Sequence, residues 1–167
     1  LRAAAQLERE IPELTLILAG DGVEVPSLKK LAAELGLKKV CFIPHLPEEE
    51  YIELLQASDV CLVTLVKDLR TPVVPGKLQC IMAVGRPVIC SVPSTSDAQR
   101  IIEESKSGLW VEAGDPDGLA EAVLKLCRDA TTREEMGRNG RRYAEEHFDR
   151  KRCIERYNSL LTNLAGS

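Results

Sequence analysis

The run Pro75-Gly76-Lys77 carries the plainest chemistry in this sequence of 167 residues. It opens a segment with helical spacing. The unpaired backbone N–H groups of a first turn and the positive end of the helix dipole attract an anion there, and Lys77 adds a full charge beside them. A phosphate or diphosphate fits; a loop-to-helix junction with a solvated lysine is the alternative. Gly20-Asp21-Gly22 is a second candidate, whose glycines either let backbone approach a ligand closely or serve only a strand-to-helix reversal. The tripeptide continues as Val-Glu-Val and lacks the third glycine of a dinucleotide fingerprint, which disfavours a dinucleotide site. His45, between Pro44 and Leu46, is placed either to stack on a planar base or to fill an ordinary loop. His147 reads as structural.

Other chemistries lack their residues. With two histidines and no serine or cysteine in a nucleophile-elbow pattern, no hydrolase arrangement can be assembled. Glu103-Glu104 and Glu145-Glu146 are sequence neighbours in helical segments and so point to different faces. The six cysteines show no C-x-x-C pair and no histidine at metal-ligand spacing, so no metal site is expected and most are expected to be core thiols of a reducing compartment. A net charge of −4 argues against nucleic acid as a partner. The one basic cluster, Arg138, Arg141, Arg142, Arg150, Lys151 and Arg152, is interleaved with acids and reads as a solvated helix face, with contact to anionic lipid as a side reading. No apolar run is long enough to cross a bilayer, and a soluble, cytoplasmic protein is expected.

The elements that must position these residues follow from periodicity. A helix stops at Pro12, an apolar run from Leu14 to Ala19 enters Gly20, and Pro26–Leu35 is helical with Gly36 ending it. Val40–Ile43 reads as the second strand, Glu48-Glu49-Glu50 as an acidic first helical turn, and Asp59–Leu65 as the third strand. A longer loop, Lys67–Pro75, precedes a helix over Gly76–Val84 capped by Gly85, then a strand over Pro87–Ser91. Ser96 and Gln99 form a capping-box pattern, Gly108–Val111 is a fifth strand, and Asp115-Pro116 starts the first of three last helices. The predicted fold is one α/β domain over residues 1–167, a Rossmann-like parallel sheet of about five strands with helices on both faces and a helical C-terminal tail. Ligands of such sheets bind at the carboxyl ends of the strands, which brings Gly20–Gly22, Pro44–His45, Lys67–Gly76, Ser91–Ser96 and Glu112–Gly114 to one edge.

Taken in order, Leu-Ala-Gly-Asp-Gly, Val-Cys-Phe-Ile-Pro-His, Ala-Ser-Asp-Val-Cys-Leu-Val and Pro-Gly-Lys-Leu-Gln-Cys-Ile-Met-Ala-Val-Gly-Arg-Pro-Val-Ile resemble the C-terminal, donor-binding domain of group 1 GT-B glycosyltransferases. The likeness continues through Ser-Gly-Leu-Trp-Val-Glu-Ala-Gly-Asp-Pro and Met-Gly-Arg-Asn-Gly-Arg-Arg-Tyr. The resemblance implies a UDP- or GDP-type nucleotide-sugar as substrate, with no further cofactor and no metal. It places the base near Phe42, Ile43 and His45, and the diphosphate near Pro75, Gly76, Lys77 and Leu78. Gly20, Asp21 and Gly22 would border the pocket. Lys77 would be the catalytic group, stabilising the leaving diphosphate, with sugar passing to a glycan or lipid-linked acceptor with retention.

Two features depart from the family pattern. Cys80 and Pro72 stand where members often carry glutamates, the nearer of which binds the ribose. The resemblance also implies a preceding strand, a basic loop and an N-terminal acceptor domain outside this sequence, so these residues alone are expected to transfer no sugar, and the full-length protein to touch a membrane at most peripherally. Two other classes are alternatives: a GT-B-related nucleotide-sugar 2-epimerase, whose loops would be richer in acids and histidines, and a non-enzymatic flavodoxin-like interaction domain.

Overall fold

The computed structural model describes residues 1–71 and 73–165. Its elements alternate as expected: α1 (Arg2–Glu10), β1 (Leu16–Ala19), α2 (Val25–Glu34), β2 (Val40–Ile43), α3 (Glu48–Ala57), β3 (Cys61–Thr64), α4 (Gly76–Ala83), β4 (Val88–Ser91), α5 (Asp97–Ser105), β5 (Gly108–Val111), α6 (Pro116–Arg128), α7 (Ala130–His147) and α8 (Arg150–Ala165). β2 and β5 have the expected bounds, whereas β1, β3 and β4 are shorter than the apolar runs that announce them, because ladder pairing rather than apolar character sets their ends. All five run parallel, in two hydrogen-bonded sets: β1 beside β2 with Leu16 opposite Val40, and β3-β4-β5 with Cys61 opposite Val88 and Val88 opposite Gly108. Among the described residues no ladder joins β1 to β3, so the expected sheet is divided into two and three strands.

Side-chain alternation on β4 builds the core on both sides. Val88 and Cys90 face Leu78, Ile81 and Met82 of α4, while Ile89 faces Leu7 of α1 and Val123 and Leu126 of α6. Burial on both faces is what helical crossovers impose on a central parallel strand. Helix α1 joins the two sheets: Leu7 is in this core, and the neighbouring Glu8 carboxylate accepts the N–H groups of Lys38, at 3.0 and 3.2 Å, and Lys39, at 2.6 Å, just ahead of β2.

Helix α7 crosses the end of α4 at a pair of glycines. Gly85 ends α4 with φ +71°, and a Cβ on Gly137 would collide with the Gly85 carbonyl oxygen, so only glycine lets α7 lie this close. The capping box at α5 is half formed. Ser96 accepts from the Ala98 N–H at 3.3 Å, but Gln99 turns outward to Glu103 at 2.8 Å and does not reach back. The expectation of mostly core thiols is also corrected: Cys61 and Cys90 are buried and Cys127 is partly so, whereas Cys41, Cys80 and Cys153 are exposed, because β2, the outer side of α4 and α8 are not covered. Helix α8 leaves Ile154, Tyr157, Leu160 and Leu161 exposed along one stripe. Among the described residues no helix is long and apolar enough to cross a membrane.

Candidate functional site

The first turn of α4 sits at the carboxyl edge of β3 and β4. Pro75, which has no N–H, is the N-cap, and its carbonyl accepts the Leu78 N–H at 2.9 Å. This leaves the amides of Gly76 and Lys77 without an acceptor among the described residues, directed outward with the helix dipole behind them. A Cβ on Gly76 would meet nothing within 4 Å, and Lys77 is exposed beside it. The Lys77 charge acts on Cys90, whose thiol burial pushes up to about 12, the ammonium opposing that rise. Leu78 is a correction: its side chain is fully buried and its N–H is engaged, so it anchors the turn and offers a ligand nothing.

What holds this turn in place was only half visible in the sequence. Ser96, read there as a cap, is 6 % exposed, and its hydroxyl donates to the Val73 carbonyl at 2.9 Å, tying the loop after β3 to the start of α5. A methyl group on Gly114 would touch the Lys67 stem at 3.5 Å, so the loop after β5 packs against the same segment. Neither contact has a sequence signal beyond the rule that post-strand loops gather at one edge. Cys80 lies one turn along α4 from Gly76 and next to Tyr51 of α3, whose hydroxyl is held above its ordinary value by burial and then by Cys80. Pro72 lies outside the described residues.

The other expected residues come together at the ends of β1 and β2. Gly20 has φ +140°, a conformation that favours glycine, and its N–H donates to the Ile43 carbonyl at 3.0 Å. Asp21 Oδ2 then accepts the His45 N–H at 2.9 Å, so the aspartate fixes the backbone of the histidine loop. Phe42 is half-buried with Lys29 Nζ 5.7 Å from its ring centroid, and no Cβ at Gly20 or Gly22 would meet an atom within 4 Å. The candidates thus form two groups, Gly20-Asp21-Gly22 with Phe42, Ile43 and His45, and Pro75-Gly76-Lys77 with Ser96. No hydrogen bond joins the groups among the described residues.

The profile of the family described as "Glycosyl transferases group 1" matches residues 1–143. The D-inositol 3-phosphate glycosyltransferase of Corynebacterium urealyticum is 32% identical over 177 residues, a match covering 97% of this chain and 39% of that protein. The chain thus spans about two fifths of the length of the curated relatives it matches. Among solved structures, sucrose-phosphate synthase of Thermosynechococcus elongatus aligns with a TM-score of 0.79 at 24% identity, over 99% of this chain and 42% of that one. The Anabaena protein HepE, solved in complex with UDP, aligns with a TM-score of 0.83 at 21% identity, over 96% of this chain and 44% of that one.

Proposed function

Because the chain belongs to the group 1 glycosyltransferase family, we propose that it is the donor-binding part of an enzyme that moves a sugar from a nucleotide-sugar to a glycan or lipid-linked acceptor. The observation that carries the reading is the α4 start, where the Gly76 and Lys77 amides have no acceptor among the described residues and the exposed Lys77 stands in the same first turn at the carboxyl edge of the sheet. A diphosphate bound there gains charge-assisted hydrogen bonds. These strengthen as negative charge develops on the leaving group, so the same groups serve binding and catalysis. Transfer with retention is part of the proposal, as is an acceptor side contributed by polypeptide beyond these residues.

The base falls to the second group. Phe42 and His45 offer ring faces, and Gly20 to Gly22 offer backbone without side chains, a surface that a planar heterocycle and its ribose can approach. A uridine nucleotide is favoured over a guanosine one, because HepE was solved with UDP and with UDP-glucose. Cys80 cannot accept two hydrogen bonds from a ribose as a carboxylate would, so the ribose is held less firmly than by a glutamate at that position.

The test is calorimetric titration of the 167-residue chain with UDP, GDP and UMP, repeated with Lys77→Ala. The reading expects saturable binding of UDP, weaker binding of UMP, and a loss of about tenfold or more for UDP in the variant, the scale of a hydrogen bond to a charged group. Equal affinity of UDP and UMP, or no effect of the substitution, would remove Lys77 and the α4 start from the diphosphate role.

A further inference from the structure

An open cleft of about 600 Å³ lies at the amino-terminal edge of the three-stranded sheet, opposite the edge that carries the α4 start. Asp59, ahead of β3, the turn Gly85-Arg86-Pro87, ahead of β4, and one face of α7 form its walls. Arg86, Arg133, Arg138, Arg141 and Arg142 line it against three carboxylates, a surplus of two positive charges in a chain of net charge −4.

The basic cluster read from the sequence as one solvated face is therefore divided. Arg150, Lys151 and Arg152 lie on α8, while Arg138, Arg141 and Arg142 are brought over the α4–β4 turn by the close packing of Gly137 on Gly85. Two of the five arginines have carboxylate partners: Arg138 is 3.6 Å from Glu134 and Arg141 is 2.6 Å from Glu145. The other three donate to neutral acceptors. Arg86 reaches the Gln56 carbonyl, Arg133 the carbonyls of Leu126 and Cys127 at 2.5 and 3.0 Å, and Arg142 the Asn139 side-chain oxygen at 2.8 Å. A guanidinium carries five N–H donors, so each keeps donors after these bonds. Arg141 also donates to the Ala83 carbonyl, which removes one acceptor at the end of α4 that would repel an anion.

We propose that this cleft binds a small phosphate-bearing anion at a site separate from the nucleotide-sugar site. Planar guanidinium forks on two sides of a concave wall match the oxygens of a phosphate or diphosphate. The two sites lie at opposite ends of α4, about 12 Å apart along the helix, so an anion at one end bears on the element that presents Lys77 at the other.

Amide NMR titration of the chain with inorganic pyrophosphate at low salt, and separately with UDP, tests the proposal. Pyrophosphate is expected to move the amides of Gly85, Gly137 and Arg142, and UDP to leave them in place. Substituting Arg138→Gln with Arg142→Gln is expected to weaken pyrophosphate binding, read at the amides of Gly85 and Gly137, about tenfold. Arg142→Gln alone, at an exposed residue with a neutral partner, serves if the double variant loses its dispersed spectrum. Co-sedimentation with phosphatidic acid vesicles, lost in the same variant, would assign the phosphate to a lipid headgroup instead of a free metabolite. Binding that moves only Gly76 to Leu78, binding unchanged by the arginine substitutions, or none of either probe up to about 10 mM would overturn the proposal.

Discussion

The two sheets are made of the same kind of strand and sit in very different surroundings. Every residue of β4 is buried, with Val88, Ile89 and Cys90 at 0 % exposure, whereas β1 alternates between half-buried and exposed, and its Ile17 is 42 % exposed. The diphosphate candidates belong to the covered half, the base candidates to the open half. A rigid framework is what fixed N–H donors need in order to stabilise developing charge without reorganising. Ring faces and glycine backbone tolerate a looser one. The division of labour proposed for the site thus follows a division in packing.

The strongest way to break this comparison is to truncate one apolar residue on each side. Leu78→Ala, at a site with no exposure, is expected to destabilise the fold by about 2–5 kcal/mol in urea unfolding. Ile17→Ala, at a half-exposed site, is expected to cost less than about 1 kcal/mol. Similar losses at both positions would mean that the open half is as tightly packed as the other, and that the contrast in burial does not carry through to energy. Ser96→Ala probes the same covered half with a smaller effect. It strands the Val73 carbonyl and one α5 amide for about 1–2 kcal/mol, and because that bond holds the loop ahead of Gly76, UDP affinity should fall with it.

Much of this was legible in advance. The alternation of elements, the parallel sense and the gathering of post-strand loops follow from periodicity and the helix breakers around Pro12, Gly36 and Gly85. The split between β1 and β3 was not, since an apolar run announces a strand without naming its neighbour. Leu78 was misread for a related reason: a motif position says where a residue stands in the chain, whereas burial and the Pro75 carbonyl decide what it can offer a ligand. The arginine cluster beside the α4–β4 turn was not legible, because charges interleaved along a helix do not name the element that packs next to them, here the turn at Gly85; Arg138, Arg141 and Arg142 themselves stay exposed.

The buried thiols sharpen the comparison through pH. Burial raises Cys90 to about 12 and Cys61 to about 11 from an ordinary 9.0. The folded state holds these protons where the unfolded chain gives them up, so the stabilisation is complete below pH 9 and is lost as pH rises toward 11 and 12. Between pH 9 and 10 each thiol should account for about 1 kcal/mol of lost stability. Urea midpoints measured across that interval for the parent and for Cys61→Ala and Cys90→Ala, each compared with its own value at pH 8, test this. An unchanged slope in both variants would show that the strand thiols are wetter than their burial indicates.

The smallest expected effect lies in the open half and is the most informative about the site. Asp21→Ala removes one exposed acceptor from the His45 N–H, whose place water takes, a loss of less than about 0.5 kcal/mol. Global stability should barely move, since neither residue touches the core. The His45 loop, however, loses the side-chain bond that, among the described residues, fixes its backbone to the β1 loop. If the base is held where Phe42 and His45 stand, nucleotide affinity should fall by a few-fold while inorganic pyrophosphate binding stays as it was, because the α4 start and the arginine cleft both lie in the covered half. A loss of pyrophosphate binding in this variant would show that the two halves are coupled more tightly than their separate hydrogen-bond networks indicate, and the open half would then have to be treated as part of the diphosphate framework.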